Sequence, residues 1–181
     1  MKKALLLIDY IHDFVDDDGA LTIGKPAQYI RENIIRAISR LGKGDLLVLA
    51  NDCHNWQQPH PEKKLFPPHA LAGTAGCQTT IPEAVKNAKA PVIIIKKRHF
   101  SAFEGTGLVD MLKAAGIEKL YIAGVSTNIC VLHSAIAAYN LGLESAVLED
   151  CVAAFDAPSH DFAMKHFRNV LGFEITNSQT I

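Results

Sequence analysis

Short, almost continuously apolar runs alternate along this chain with segments of helical periodicity, and that alternation restricts the fold more than any other feature. The runs are candidate strands: Lys3–Ile8, Leu46–Ala50, Val92–Lys96, Leu120–Ala123, Ala146–Leu148 and Phe173–Thr176. The candidate helices are Pro26–Leu41, Leu108–Ala115, Asn128–Leu141 and Ser159–Leu171. Strands without polar alternation are typical of parallel sheets covered by helices on both faces. We therefore predict a three-layer α/β fold, with a mainly parallel, Rossmann-like sheet of about six strands.

Length and charge restrict the class of partner. The 181 residues suffice for one domain spanning 1–181, and the net charge of −1 provides no basic stripe for nucleic acid or an anionic membrane. No apolar run approaches the ~20 residues needed to cross a bilayer. The four cysteines form no CxxC pair, so free thiols in a reducing cytoplasm are expected. These features favour a cytoplasmic protein with a small-molecule partner.

Polar side chains follow four of the predicted strands. Asp9 follows the first strand, Asp52 the second and Lys97 the third, and a helix carrying Cys130 follows the fourth. In open parallel sheets, ligands bind at the carboxyl ends of the strands, where the strand order reverses. A strand order of 3-2-1-4-5-6 would make strands 1 and 4 neighbours at that point. Asp9 and Cys130 would then meet, although they are far apart in sequence.

Cys130 is a candidate nucleophile. Thr127 or Asn128 is a natural N-cap, which places Cys130 in the first turn of its helix, where the thiolate is favoured. With Lys97 nearby, we expect a thiol pKa lowered from about 8.5 to about 7, which requires ~2 kcal/mol. Asp9 would accept the thiol proton and return it to a leaving amine. The alternative is that Cys130 only packs its helix on the sheet and Asp9 only caps a loop.

The basic residue of this group is not unique in the sequence. Lys97 has three competing neighbours: Lys96, Arg98 and His99. Spacing alone leaves this choice open, because any one of them could follow the strand into the site.

A second group of candidate ligands lies in the irregular stretch from Asn51 to Pro91, in which we predict only one short helix near Pro82–Asn87. Its first part, NDCHNWQQPHPEKKLFPPH, contains Asp52, His54, Glu62, His69 and also His60. Borderline divalent metals such as Zn²⁺ accept this mixture of nitrogen and oxygen ligands. The alternative is a polar surface loop. A functional role is favoured, because long irregular segments inside compact domains are more often functional than mere connections.

Four blocks of the sequence resemble the isochorismatase-like cysteine hydrolases, and within them the nicotinamidase/pyrazinamidase group. They are ALLLIDYIHDFVDDDGAL, DCHN…HPEKKLFPPH, KRHFSAFEGTGL and AGVSTNICVLHSAIAAYNLG. The resemblance covers nearly the whole chain and implies a single isochorismatase-like hydrolase domain. It also implies a catalytic triad of Asp9, Lys97 and Cys130, because Lys97 occupies the lysine of the KRxxSAF pattern.

The same resemblance implies further site residues. The metal ligands would be Asp52, His54 and His69, with Glu62 as the fourth ligand and His60 as its alternative. The backbone N–H groups of Ser126 and Cys130 would form an oxyanion hole, shaped by a cis peptide bond between Val125 and Ser126. The substrate pocket would be lined by Phe14, Phe66, Phe100 and Val125, with Trp56 as an additional aromatic wall.

The implied activity is hydrolysis of nicotinamide, and also of pyrazinamide, through a thioester in NAD salvage. The implied cofactor is one divalent metal, Zn or alternatively Fe or Mn, and the implied assembly is a homodimer or homotetramer. Three alternatives stay open: an amidase for carbamoyl or ureido compounds, a metal-bound water as nucleophile, and a non-catalytic binding scaffold. Two departures are visible, Asn128 in place of the usual acid of GVxTDxCV and a shortened segment between His69 and Lys97.

Overall fold

The computed structural model describes all 181 residues. Its strands are β1 Lys3–Ile8, β2 Leu46–Asp52, β3 Val92–Lys97, β4 Lys119–Val125, β5 Ser145–Ala153 and β6 Glu174–Thr176. Its α-helices are α1 His12–Val15, α2 Lys25–Tyr29, α3 Arg31–Ser39, α4 Pro82–Lys86, α5 Leu108–Ala115, α6 Leu132–Asn140 and α7 Ala157–Asn169. Short 3₁₀ segments cover Pro61–Lys64 and Ala75–Cys77. None of the helices has the length and hydropathy needed to cross a bilayer.

All six strands form one parallel sheet in the order β3-β2-β1-β4-β5-β6. This confirms the predicted fold class and the expected reversal of strand order between β1 and β4. Strands β1, β2 and β4 are buried along almost their whole length, because other elements cover both faces of the sheet there. Leu5 and Leu7 point into a core on the side of α3, whereas Leu6 and Ile8 point into a second core on the side of α6 and α7.

Most predicted elements differ from the observed ones at their ends, and three of these differences have a clear local cause. The single helix predicted for Pro26–Leu41 is two helices in the structure, α2 and α3. They meet at Ile30, whose ψ of −4° departs from the α-helical value. The last long helix, α7, begins two residues earlier than predicted. The Asp156 carboxylate caps this helix by accepting a hydrogen bond from the Ser159 N–H. Strand β5 continues beyond the polar pair Glu149–Asp150. Its pairing with β4 shifts register between Ile122 and Gly124, and this shift accommodates the two polar residues.

The carboxyl ends of β1 and β4 approach each other closely at Gly124. This glycine has a φ of +116°, and a Cβ atom built on it would overlap the carbonyl oxygen of Ile8. Only a residue without a side chain permits this spacing. The approach matters for the site, because Asp9 follows Ile8 directly and the turn that carries Cys130 starts just after Gly124.

A methyl group at Gly124 should therefore destabilise the protein strongly. We expect Gly124→Ala to lower the free energy of unfolding by about 3 kcal/mol or more, because left-handed strain and overpacking add. Gly142→Ala is the matched control, since Gly142 also has positive φ but no atom near its Cβ position. It should lose only about 1–2 kcal/mol. Urea unfolding measures both values, and equal losses would contradict the close-approach argument.

Candidate active site

Four charged or nucleophilic residues converge at the carboxyl edge of the sheet. Asp9 follows β1, Asp52 ends β2, Lys97 ends β3, and Cys130 lies in the turn after β4. The Lys97 ammonium is at the centre: its Nζ is 2.7 Å from Asp9 Oδ2, 2.5 Å from Asp52 Oδ1 and 3.5 Å from Cys130 Sγ. All four residues are buried. The topology thus brings together the three residues of the expected triad.

Strand alternation identifies the lysine that the sequence left open. Lys97 is 0% exposed and lies on the same side of β3 as the buried Ile95, whereas Lys96 and Arg98 are exposed. Successive residues of a strand point to opposite faces, so Lys96 and Arg98 point away from the face on which Lys97 enters the site. His99 is also exposed, although its carbonyl oxygen accepts a hydrogen bond from Lys97 Nζ at 3.2 Å.

Asp9 is fixed by its backbone as well as by its carboxylate. It has a φ of +52°, a left-handed conformation that Asp tolerates better than most residues, and its N–H donates to the Ala50 carbonyl at 3.0 Å. Its Oδ1 accepts the N–H of Asp52 at 2.7 Å, and its Oδ2 faces Lys97. Both oxygens are therefore oriented by neighbouring strands.

The charges of this group shift its pKa values strongly. Burial, assisted by the neighbouring Asp52 carboxylate, raises the pKa of Asp9 to about 7 despite the opposing effect of Lys97. Burial by itself would lower the pKa of Lys97, but the Asp52 and Asp9 carboxylates raise it well above its ordinary value. Lys97 therefore stays protonated, while Asp9 titrates near neutral pH.

The expected low pKa of Cys130 is wrong. Burial raises the pKa of this thiol well above its ordinary value, and the nearby Lys97 offsets only part of that effect. Two carboxylates already compensate the single ammonium, so a thiolate would add a further buried negative charge. The resting site therefore holds a protonated thiol beside a carboxylate that can accept the proton.

The predicted helix cap is also wrong. The chain after β4 begins with a wide π-type turn, Thr127–Val131, whose N-cap is Ser126 rather than Thr127 or Asn128. No side chain caps it, and the Ser126 hydroxyl instead donates to Asn128 Oδ1 at 2.8 Å. The Asn128 side chain thus links the first residues of this turn to Ser126.

The start of this turn has the features expected of an oxyanion hole. The peptide bond between Val125 and Ser126 is cis, as the resemblance implied. The Ser126 N–H donates no hydrogen bond within the protein. A developing negative charge near Cys130 would therefore find at least one free backbone donor.

A second cluster, the metal-ligand cluster, lies beside the first. Ligand atoms of Asp52, His54, Glu62 and His69 are all within 4.8 Å of one another, and all four side chains are buried. His54 Nε2 is 3.5 Å from Asp52 Oδ2, and His69 Nε2 is 3.3 Å from Glu62 Oε2. Donor atoms bound at about 2.1 Å to a tetrahedral ion are about 3.4 Å apart. The two quoted pairs are near that value, and His54 Nε2 is 3.9 Å from Glu62 Oε2.

Two further observations show that the cluster fits a metal ion. His54 is only 2% exposed, yet neither of its ring nitrogens has a hydrogen-bond partner. An unpartnered buried imidazole is costly unless something binds it. His69 Nδ1 lies 2.8 Å from the Pro67 carbonyl oxygen, to which it can only donate, so Nε2, which faces Glu62, is the ring nitrogen available to a metal ion. Two imidazoles and two carboxylates suit Zn²⁺ and similar ions.

The alternative ligand His60 is placed differently. Its Nε2 lies against the carbonyl oxygen of Arg98, and it is not among the four residues whose ligand atoms converge. Its ring packs beside the ring of His54, with centroids 4.6 Å apart. The geometry therefore favours Glu62 over His60 as the fourth ligand.

Asp52 connects the two clusters. Its Oδ1 accepts a hydrogen bond from Lys97, and its Oδ2 faces His54. Burial would raise the pKa of this carboxyl, but Lys97 and His54 outweigh burial and lower it. Asp52 is therefore ionised and available to a cation on one side while it compensates the lysine on the other.

A cleft of about 350 Å³ opens above both clusters. Three of the expected aromatic residues line it, namely Phe14, Phe66 and Phe100, together with Cys130 and three members of the metal-ligand cluster. Val125 does not line it, which corrects that expectation: its side chain is fully buried in the core beside α3, and the next residue, Ser126, lines the cleft instead. Trp56 also lies outside the lining and packs near His69.

Four lining residues were missed by the sequence analysis: Leu21, Ile23, Ile129 and Phe155. Leu21 and Ile23 lie in an irregular loop between α1 and α2, where no periodicity gives a signal. Phe155 follows β5, so the rule that ligands bind at carboxyl strand ends could have identified it. Its side chain is 42% exposed, as expected for a residue at the rim of the cleft.

The sequence profile of the Isochorismatase domain matches residues 3–179, and the chain belongs to the isochorismatase family. An isochorismatase family protein, PncA of Bacillus subtilis (strain 168), is 42% identical over 181 residues, covering 97% of this chain and 99% of the relative. The crystal structure of nicotinamidase/pyrazinamidase PncA from Bacillus subtilis aligns with a TM-score of 0.87 at 39% identity, covering 98% and 100% of the two chains. A pyrazinamidase of Pyrococcus horikoshii in complex with zinc aligns with a TM-score of 0.81 at 28% identity, covering 98% and 99%.

Removing His54 should weaken zinc binding by the metal-ligand cluster. We expect His54→Ala to weaken zinc affinity by more than about 100-fold, because losing a direct ligand costs at least as much as losing a residue that orients one. His60→Ala is the matched control, since it removes a neighbouring imidazole outside the cluster. Elemental analysis and competition titration measure the two variants. If both lost zinc equally, the assignment of Glu62 over His60 would fail.

Proposed function

We propose that this protein is a metal-containing cysteine amidohydrolase that converts nicotinamide to nicotinate and ammonia and also accepts pyrazinamide. The observation that carries the proposal is the Lys97 ammonium, which holds Asp9 and Cys130 together beneath an aromatic cleft next to the metal-ligand cluster. The similarity to nicotinamidase/pyrazinamidase PncA supports the substrate. We further propose that residues 1–181 act as one isochorismatase-like hydrolase domain.

The first step is attack of Cys130 Sγ on the amide carbon. The thiol is protonated at rest, so its proton must leave as the carbon–sulfur bond forms, and Asp9 is positioned to accept it. Lys97 keeps its positive charge throughout and compensates the sulfur while that proton moves. The oxyanion is stabilised by the N–H groups of Ser126 and Cys130, an effect worth roughly 3–4 kcal/mol per donor in related acyl transfer.

The second half returns the enzyme to its starting state. Asp9 gives the proton to the amide nitrogen, the carbon–nitrogen bond breaks, and ammonia leaves behind a thioester on Cys130. Asp9, now ionised, takes a proton from an entering water whose oxygen attacks the thioester carbon. The carboxylic acid is released, and the proton returns to the Cys130 sulfur. A carboxyl pKa of about 7 suits a group that must act as both acid and base near neutral pH.

The metal-ligand cluster would position the substrate. Asp52, His54, Glu62 and His69 would hold one divalent ion, for which we propose zinc, although iron(II) and manganese(II) accept similar ligands. When bound there, the ion supplies a Lewis-acid site for the ring nitrogen of the substrate. Glu62 and His69 also line the cleft, so the ring would lie between this cluster and the phenylalanine side chains.

The cleft favours a neutral aromatic amide over the carbamoyl or ureido alternatives. Most of its lining residues are hydrophobic, and none of them is Lys or Arg. Its ionisable lining residues other than Cys130, namely Asp52, Glu62 and His69, would be engaged by the metal ion. Many small carbamoyl compounds carry a carboxylate, for which the cleft offers no further basic side chain. A pyridine or pyrazine carboxamide needs none.

The cellular setting follows from the same proposal. Nicotinamide hydrolysis belongs to NAD salvage, and we propose that it takes place in the cytoplasm, the compartment in which free cysteines such as these four are common. We also propose a homodimer or homotetramer. Val92 and Ile94, two exposed apolar side chains on the same face of edge strand β3, support an association surface at that edge.

An ammonia-release assay tests the activity and the nucleophile together. We expect the wild-type protein to turn over nicotinamide and pyrazinamide much faster than carbamoyl amides that carry a carboxylate. Cys130→Ala should lower the rate by at least about 1,000-fold while zinc content stays unchanged, because the nucleophile is lost and the ligands are not. Cys151→Ala is the control for loss of a buried thiol.

Two outcomes would contradict this proposal. Substantial turnover by Cys130→Ala would favour a metal-bound water as nucleophile. Absence of ammonia release from every amide, in a folded and zinc-loaded protein, would favour a binding scaffold.

The pH dependence of kcat/KM should show the ionisation of Asp9. We expect the rate to rise with pH through an acid limb centred near 7, because Asp9 accepts the thiol proton only when it is ionised, and protonation below its pKa removes that base. The midpoint belongs to the interacting carboxyls of Asp9 and Asp52, with Lys97 between them, rather than to one residue alone. Initial rates between pH 5 and pH 9, measured in buffers of constant ionic strength, give the profile. A rate independent of pH below neutrality would contradict the role of Asp9.

A further inference from the structure

Two cysteines outside the proposed chemistry lie in contact. The sulfur atoms of Cys53 and Cys77 are 3.5 Å apart, and both are free thiols. Cys53 lies directly between Asp52 and His54, and Cys77 ends the 3₁₀ segment Ala75–Cys77. Neither belongs to the metal-ligand cluster or lines the cleft.

We propose that Cys53 and Cys77 are a modification site: a dithiol that small-molecule disulfides oxidise reversibly to an intramolecular disulfide. The segment between them carries His54, Glu62 and His69, three of the four proposed metal ligands. The bond would therefore close the metal-binding loop on itself.

The geometry requires little movement. A disulfide has sulfur atoms about 2.05 Å apart, so the present gap must close by about 1.5 Å, which side-chain rotation can supply. The two backbones are already held in place. The Cys53 N–H donates to the Lys97 carbonyl at 3.0 Å, and the Asn51 side-chain amide donates to the Cys77 carbonyl at 3.5 Å.

The exposure of the two thiols sets the order of reaction. Cys77 is only partly buried, whereas Cys53 is 8% exposed. Cys77 would lose its proton and attack one sulfur of the small disulfide, forming a mixed disulfide and expelling one thiolate. Cys53, after losing its proton, would attack the Cys77 sulfur and expel the second thiolate. Two protein thiols are oxidised, the small disulfide is reduced to two thiols, and the two released protons reside on them.

The remaining cysteines are not placed for this reaction. Cys151 is fully buried, and its sulfur contacts the Asp150 carboxylate rather than another thiol. Cys130 has Lys97 as its polar neighbour. Cys53 and Cys77 are thus the pair that can bond within the folded chain.

The consequence for the metal site rests on the proposed function. An oxidised Cys53–Cys77 pair would restrict opening of the loop that carries His54, Glu62 and His69, so a bound metal should leave more slowly. Cross-linking also lowers the entropy of the unfolded chain and should raise the melting temperature.

Oxidised glutathione is the probe for the first test, with tryptic mass spectrometry of the non-reduced full-length protein. Trypsin places Cys53 in peptide 44–63 and Cys77 in peptide 65–86, whereas Cys130 and Cys151 share peptide 120–165. We expect a disulfide that joins peptides 44–63 and 65–86 and disappears after dithiothreitol. It should be absent in Cys77→Ser and in Cys53→Ala but present in Cys151→Ala. Glutathione that stays on Cys77 without transfer to Cys53 would overturn the proposal.

The second test compares zinc-loaded oxidised and reduced protein. We expect oxidation to raise the melting temperature by at least about 5 °C and to slow zinc release to a chelator. Cys77→Ser should show neither change, although its Cys130 meets the same oxidant. A lower melting temperature or faster zinc release on oxidation would overturn the stabilising role. The linked peptide is detected without metal or substrate, so its absence is distinguishable from failure of the amidase proposal.

Discussion

The buried ammonium of Lys97 is the interaction on which the rest of the site depends. A charge removed from water is costly, and this one is tolerated because carboxylates from two other strands lie within hydrogen-bond distance. Asp9, Asp52 and Lys97 end or follow three adjacent strands, so the sheet must form before the charges can compensate one another. Stability and chemistry therefore share one electrostatic arrangement.

That arrangement also explains the resting state of the nucleophile. One ammonium between two carboxylates has no charge left to stabilise a thiolate, so Cys130 keeps its proton and Asp9 is held near neutrality. Such a site can activate Cys130 by transfer of the thiol proton to Asp9. Asp52 also links these charges to the metal-ligand cluster, because its Oδ2 faces His54.

Much of the fold was accessible from the sequence because parallel strands buried on both faces must be apolar throughout. The strand order followed from the need to bring polar strand ends together, and the structure confirms it. Boundaries failed where local bonding overrides periodicity, at Ile30 and at the Asp156 cap. Leu21 and Ile23 were missed as cleft residues, because they lie on a loop whose position is set by tertiary contacts.

The sequence by itself determined the chemical types: a thiol, an acid, a lysine and a ligand-rich loop, each at a strand end or inside a recognisable block. Only the tertiary structure decided which of the adjacent basic residues enters the site, since the orientation of Lys97 depends on the register of β3. It also decided that Glu62 converges with the histidines while His60 turns to a backbone carbonyl. The pKa of Cys130 was likewise decided there, because burial and the sum of nearby charges are properties of packing in three dimensions.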